Sequence, residues 1–273
     1  MEVVRAKYSG FCYGVRRAVE SALRESERTG QTIYTMGPLL HNPQVVKMLE
    51  EKGIRPVRDV RELTGGTVAF RSHGVKKEEE EYVRARGLRA IDATCPFVKK
   101  VRRYARSLEK AGYTVVIVGD EEHPEVKSVL SYITNGAIVL RNPLPIKARK
   151  IGVVSQTTQD PDTLSEVVKV LVEEADEVRV YNTICESTRR RKEEALELAS
   201  RVDAMLIVGG KNSANTSRLY QMVREVQPNT HHIETEEELD ARWFAGLSKV
   251  GIAGGASTPD FIIDAVETAV NNL

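Results

Sequence analysis

Three cysteines, Cys12, Cys95 and Cys185, are the side chains of this sequence best suited to holding a metal, and they stand 83 and 90 residues apart. Structural zinc sites use four ligands and short C-x2–4-C pairs, so these separations point instead to an internal repeat. Each cysteine closes a strand-like run (EVVRAKYSGFC, LRAIDATC, VRVYNTIC) and opens an amphipathic helical pattern. After Cys12 the apolar positions are Val15, Ala18, Val19, Ala22 and Leu23, stopped by Gly30; after Cys95 they are Phe97, Val101, Tyr104, Ala105 and Leu108, stopped by Gly112. A single buried cysteine is ordinarily an inert core thiol. Three at equivalent junctions, each where helix N–H groups favour a thiolate, form a ligand set. Cysteine thiolates hold iron–sulfur clusters, and a cubane on three of them has one iron without a protein thiolate, a Lewis acid with a vacant position. A three-cysteine catalytic zinc is the less common arrangement.

Two sets of polar turns recur between the cysteines. The first contains His41 with Asn42, His123 with Glu125, and Ser213 with Asn215; His41, His123 and Ser213 lie 29, 28 and 28 residues after their cysteines. The second contains Ser72 and His73, then Ser155, Gln156 and Thr157, then Ser257. Ser and Asn before a helix are commonly caps, whereas histidine is a poorer one. Imidazoles, hydroxyls and an amide beside helix N-termini describe a site for a phosphate or diphosphate. Glu125 is the one carboxylate in this ring. Burial near an anion would raise its pKa and suit it to deliver protons, with Thr157 on the same path; helix capping within H-P-E is the plain alternative. His231 and His232, in an edge-like strand, read as structural, and the basic run from Arg189 as a solvated helix face.

The elements that position these groups repeat in order: strand, cysteine, helix, strand, polar turn, helix, strand pair, polar turn, helix. TIYTMG, TVVIVG and AMLIVG are the apolar strands, closing on Gly37, Gly119 and Gly209, 25, 24 and 24 residues after the cysteines. Strands alternating with helices imply parallel βαβ units. The expected fold is α/β: three small parallel-sheet domains in a pseudo-threefold, trefoil-like arrangement around a central iron–sulfur cluster, with repeats at 1–95, 96–181 and 182–273. The third repeat ends without its cysteine strand, a place Glu2 to Lys7 can fill. Ligands of parallel sheets sit beyond the carboxyl ends of strands, where all these residues fall.

Composition narrows the classes. With 273 residues, 41% hydrophobic, and 40 Lys+Arg against 39 Asp+Glu, the chain has net charge +1, which argues against a nucleic-acid binder. No apolar run is long enough for a membrane helix and the N-terminus lacks the pattern of a signal peptide, so a cytoplasmic protein with no membrane or nucleic-acid partner is expected.

The motifs G-F-C-Y-G-V (10–15), L-H-N (40–42), R-S-H-G-V (71–75), D-A-T-C-P (92–96), H-P-E (123–125), S-Q-T-T (155–158), T-I-C (183–185), V-G-G-K-N-S-A-N (208–215) and G-A-S-T-P-D (255–260) run in order along nearly the whole chain. This set resembles the 4-hydroxy-3-methylbut-2-enyl diphosphate reductase (LytB/IspH) family. The resemblance implies reductive removal of an allylic hydroxyl, with two electrons and protons, to give isopentenyl and dimethylallyl diphosphate in the last step of the methylerythritol phosphate route. It also implies an oxygen-sensitive 4Fe-4S cluster on Cys12, Cys95 and Cys185, one iron lacking cysteine, which becomes 3Fe-4S if that iron is lost. By motif match the diphosphate falls to His41, His73, His123, Ser213, Asn215 and Ser257, proton delivery to Glu125 with Thr157, and the hydroxymethyl end to Thr188. Some members have K-N-S-S-N where this chain has Ala214, which leaves a backbone N–H in place of a hydroxyl. Reduced ferredoxin or flavodoxin is the implied donor.

Two other readings stay open on the residues alone. An iron–sulfur hydro-lyase would use the same open iron without net electron transfer, although a carboxylate substrate is more often met by arginine forks than by histidine turns. A metal- or phosphometabolite-binding sensor would not need Glu125.

Overall fold

The computed structural model describes residues 1–40 and 42–273, with Ala214 described for its backbone alone. The chain divides into two compact units: Met1–Arg16, Leu40–Glu51 and Glu186–Leu273 form the first, and Arg17–Leu39 and Lys52–Cys185 the second.

The second unit carries two four-stranded parallel sheets. One contains β2 (Ile33–Met36), β3 (Ile54–Val57), β4 (Thr67–Phe70) and β5 (Arg89–Asp92), in the order β3-β2-β4-β5. The other contains β6 (Thr114–Val118), β7 (Ile138–Leu140), β8 (Lys150–Ser155) and β9 (Glu177–Val180), in the order β7-β6-β8-β9. In the first unit β10 (Ala204–Val208), β11 (Thr230–Ile233), β12 (Lys249–Gly254) and β1 (Glu2–Arg5) repeat that order, with the N-terminal strand parallel to β12 in the place the third repeat lacks. The third edge strand begins at Thr230, two residues upstream of the expected HIET.

Burial follows strand position. The inner strands β4 and β10 are buried at every residue, as sheets covered on both faces require. The cysteine-side edges β1, β5 and β9 are largely exposed or half-buried. Pro56, which cannot donate a ladder bond, lies in edge strand β3.

Helices close both faces: α1 (Tyr13–Thr29), α2 (Pro43–Glu51), α3 (Lys77–Ala85), α4 (Pro96–Lys110), α5 (Pro124–Leu130), α6 (Pro161–Glu174), α7 (Glu186–Ala199), α8 (Ala214–Val226) and α9 (Asp260–Asn271). The stripe Val15, Ala18, Val19 and Ala22 of α1 is buried, as are Val98, Val101, Ala105 and Leu108 of α4. Gly30 and Gly112 follow these helices with φ of 62° and 79°, the left-handed stop that glycine adopts without strain.

One expectation is corrected. The cysteines do not end their strands: β1 stops at Arg5, β5 at Asp92 and β9 at Val180, and loops carry the chain on to Cys12, Cys95 and Cys185. The loop N–H groups leave the sheet ladder because they have other acceptors, described next.

Candidate active site

Each cysteine is fixed by the same main-chain bond. Cys12 N–H donates to the Ala256 carbonyl at 3.1 Å in the first unit; in the second, Cys95 N–H donates to Ser72 at 2.9 Å and Cys185 N–H to Thr157 at 2.8 Å. Each acceptor lies two residues beyond the end of the neighbouring inner strand, β12, β4 or β8. The three cysteines are half-exposed and outside disulfides. Cys95 caps α4, and Cys12 and Cys95 accept helical N–H bonds from Arg16 and Lys99.

Side chains pin the same loops. Arg191 donates to the carbonyls of Gly10 (2.9 Å) and Gly254 (2.6 Å), Arg17 to those of Thr94 (2.8 Å) and Asp92 (3.1 Å), and Thr183 Oγ1 to Ser155 (2.6 Å). Arg191 departs from the expectation of a solvated run. Arg189 and Arg190 are exposed and paired with Glu186, whereas the third arginine turns inward and is buried because the loop carbonyls need donors. These supports were missed in the sequence, although a signal was present: Ser9, Asp92 and Asn182 all stand three residues before a cysteine. Asp92 and Asn182 make Asx turns to Thr94 and Ile184 N–H, and Ser9 Oγ accepts from Gly254 N–H.

The first set of turns caps helices in one register. Asn42 Oδ1 accepts from Val45 N–H at 3.0 Å, His123 Nδ1 from Glu125 N–H at 3.2 Å, and Ser213 Oγ from Thr216 N–H at 3.5 Å. The counterpart of His123 and Ser213 is therefore Asn42, one residue beyond the expected His41, which lies outside the described residues. Counting misled because α1 is 17 residues long where α4 is 15. As an acceptor at Nδ1, neutral His123 carries its proton on Nε2. Ala214 contributes backbone at the first position of α8, Asn215 is half-buried in its first turn, Ser213 and Ser257 are buried, and Thr188 is half-buried in the first turn of α7.

Within the second unit, sequence-distant candidates meet. His73, beyond β4, stands edge-on to His123, beyond β6, with ring centroids 5.4 Å apart and planes at 82°. Gly74 permits this approach: its φ is +84°, and a Cβ there would lie 2.6 Å from Ser128 Oγ on α5. Ser128 Oγ in turn donates to Val75 O at 2.9 Å.

Glu125 is 2% exposed. Its Oε1 accepts Thr157 N–H at 2.7 Å and its Oε2 accepts Thr157 Oγ1–H at 2.6 Å. Burial pushes its pKa up to about 7, against the pull of these two donors, so near neutral pH both the protonated and the ionised carboxyl are populated. The capping alternative does not describe this carboxylate: His123 caps α5, while Glu125 turns to the β8 turn. Thr157 thus links the acid to Cys185 through its own carbonyl. His231, stacked on Trp243 at 3.8 Å, and His232, bonded to Gly209 O at 2.9 Å, serve packing as expected. Among the described residues no group of three His, Cys, Asp or Glu could hold a single metal ion, and no helix is long and apolar enough to cross a membrane.

A buried carboxyl with a raised pKa, beside a loop that presents a cysteine at the carboxyl end of a parallel sheet, stands where α/β enzymes place their sites. The chain belongs to the LytB protein family, whose model matches residues 3–271. It is 49% identical over 271 residues, 97% of this chain and 95% of the other, to the 4-hydroxy-3-methylbut-2-enyl diphosphate reductase of Geobacter sp. (strain M21). To the protein of the same name from Pelobacter propionicus (strain DSM 2379 / NBRC 103807 / OttBd1) it is 49% identical, covering 100% of this chain and 99% of that one. The solved structure of (E)-4-hydroxy-3-methyl-but-2-enyl diphosphate reductase, the terminal enzyme of the non-mevalonate pathway, is similar over 100% of both chains, with 44% identity and a TM-score of 0.79. That of the E-1-hydroxy-2-methyl-but-2-enyl-4-diphosphate reductase from Plasmodium falciparum has 25% identity and a TM-score of 0.90, covering 100% of this chain and 87% of the other.

Proposed function

We propose that the chain is a 4-hydroxy-3-methylbut-2-enyl diphosphate reductase that removes the allylic hydroxyl of its substrate and yields isopentenyl and dimethylallyl diphosphate. The reaction takes up two electrons and two protons: a carbon–oxygen bond breaks, water leaves, and a carbon–hydrogen bond forms. The observation that carries this reading is the buried Glu125–Thr157 pair with the Cys185 N–H on the same threonine.

Cys12, Cys95 and Cys185 would hold a 4Fe-4S cluster with one iron free of cysteine. The residues fit that group: the thiols are half-exposed, outside disulfides, and locked by equivalent main-chain bonds. When bound, the cluster supplies electrons and a Lewis-acidic iron for the substrate oxygen. In its protonated form Glu125 reverses the 2.6 Å bond: Oε2–H donates to Thr157 Oγ1, and the hydroxyl gives up its own proton toward the departing oxygen. His73 and His123, with His41, Ser213, the Ala214 N–H, Asn215 and Ser257, bind the diphosphate, and Thr188 lies by the hydroxymethyl end. Electrons come from reduced ferredoxin or flavodoxin in the cytoplasm, where the thiols stay reduced.

Anaerobic purification, iron determination and turnover of 4-hydroxy-3-methylbut-2-enyl diphosphate with reduced methyl viologen test the proposal. Brown, iron-bearing protein that releases both isomeric diphosphates is expected. An iron-free protein, or iron-bearing protein that leaves the substrate unchanged, would overturn it.

A further inference from the structure

Helix α4 carries six cations, Lys99, Lys100, Arg102, Arg103, Arg106 and Lys110, against one carboxylate, Glu109, in a chain of net charge +1. Its neighbours in kind do otherwise: α7 balances Arg189 and Arg190 with Glu186 and Glu193 at helical spacing, and α1 pairs Arg28 with Glu25. With Val98, Val101, Ala105 and Leu108 buried, the opposite arc shows Pro96, Lys100, Arg103, Arg106, Ser107 and Lys110 to solvent, with no acid among them. Like charges three and four residues apart, such as Arg103–Arg106 and Arg106–Lys110, repel and weaken the helix. Beside this arc, the half-buried Lys99 pairs with Asp92 and Arg102 with Glu80. At the far end the arc borders a cavity of about 460 Å3 whose lining includes Lys77, Arg106, Lys110 and Tyr132, with Glu109 the carboxylate on its wall.

We infer that this face of α4 is the docking surface for a small acidic electron carrier. The inference rests on the proposed reaction, which consumes two electrons that must come from another molecule. The helix starts at Cys95, a proposed cluster ligand, and its first exposed cation, Lys100, is five residues on, roughly 8 Å along the axis. A carrier held there by its own carboxylates is guided by long-range attraction and brought beside the cysteine end of the helix, and the cavity can admit an acidic side chain from its surface.

The test is a triple charge reversal, Lys100→Glu/Arg103→Glu/Arg106→Glu, in the cluster-loaded full chain. It is assayed with reduced acidic ferredoxin and, separately, with reduced methyl viologen; binding of oxidised ferredoxin is titrated directly. Viologen-driven turnover is expected to persist while ferredoxin-driven kcat/KM and ferredoxin affinity fall by on the order of tenfold or more. The wild-type ferredoxin rate should also drop on going from about 0.05 to 0.3 M salt far more than the variant's. Unchanged ferredoxin affinity, an equal loss with both donors, or an oligonucleotide bound through this face with no ferredoxin binding would overturn the inference. Wild-type protein that binds ferredoxin through α4 yet leaves the diphosphate unchanged would retain the docking face and sink the proposed function instead.

Discussion

Replacing Glu125 by Gln separates the proton from the shape. The carboxamide keeps one acceptor for Thr157 N–H and offers one donor toward Thr157 Oγ1, as the protonated carboxyl does, so the fold should persist. Moving a buried carboxyl from 4.5 to about 7 corresponds to about 3 kcal/mol, at 1.36 kcal/mol for each tenfold in proton affinity. The folded state binds this proton more tightly than the unfolded chain. Its stabilisation is therefore complete below pH 4.5, declines as pH rises through about 7, and is absent above. The glutamine variant has no such dependence. Urea midpoints of both proteins between pH 5 and 8.5 should show the variant gaining on the wild type by about 2–3 kcal/mol as pH rises. In the viologen assay, turnover by the variant should fall by about 10²–10⁴-fold, and wild-type turnover should decline as pH rises through 7. A stability gap that stays flat with pH, or that widens in favour of the wild type, would refute a protonated Glu125; full activity in the variant would refute its role as the acid.

Thr157→Val removes one donor to Glu125, so its pKa should rise further and the alkaline limb of the activity profile should move up while the maximal rate falls. Gly74→Ala must accommodate a Cβ at positive φ against Ser128, which drives His73 from His123; diphosphate affinity should weaken by about tenfold or more with iron content retained, measured by inhibition with inorganic diphosphate. Gly209, at φ +146°, would place a Cβ 2.3 Å from Thr258 Oγ1, so Gly209→Ala should cost about 3 kcal/mol or more by chemical denaturation. Arg191→Lys replaces the two-nitrogen fork that spans the Gly10 and Gly254 carbonyls by a single nitrogen and should cost about 1.5–3 kcal/mol, with faster loss of iron on air exposure.

Much of the fold was legible because the inner strands announce themselves. TVVIVG and AMLIVG are apolar on both faces and close on glycine, so their place between helices follows from periodicity. Counting repeats also located β1 beside β12, since one cysteine strand was missing at the C-terminus and one unpaired at the N-terminus. The irregular loops were less legible. Nothing local distinguishes Arg191 from Arg189 and Arg190, because its inward turn depends on carbonyls of Gly10 and Gly254, far away in sequence. The cap in the first repeat was misread by one residue, as the lengths of α1 and α4 differ and spacing from the cysteine does not transfer. For Glu125 the motif indicated an acid, while the reason its pKa is raised, burial of the carboxyl away from water, exists only in three dimensions.

The threefold bond from cysteine N–H to turn carbonyl involves only main chain. Location is thereby separated from identity: any residue able to adopt the turn can supply the carbonyl, and Ala256, Ser72 and Thr157 all do. The turns can therefore differ in side chain, His73 after β4, Thr157 against Glu125 after β8 and Ser257 after β12, while the main-chain bond that holds each cysteine stays the same.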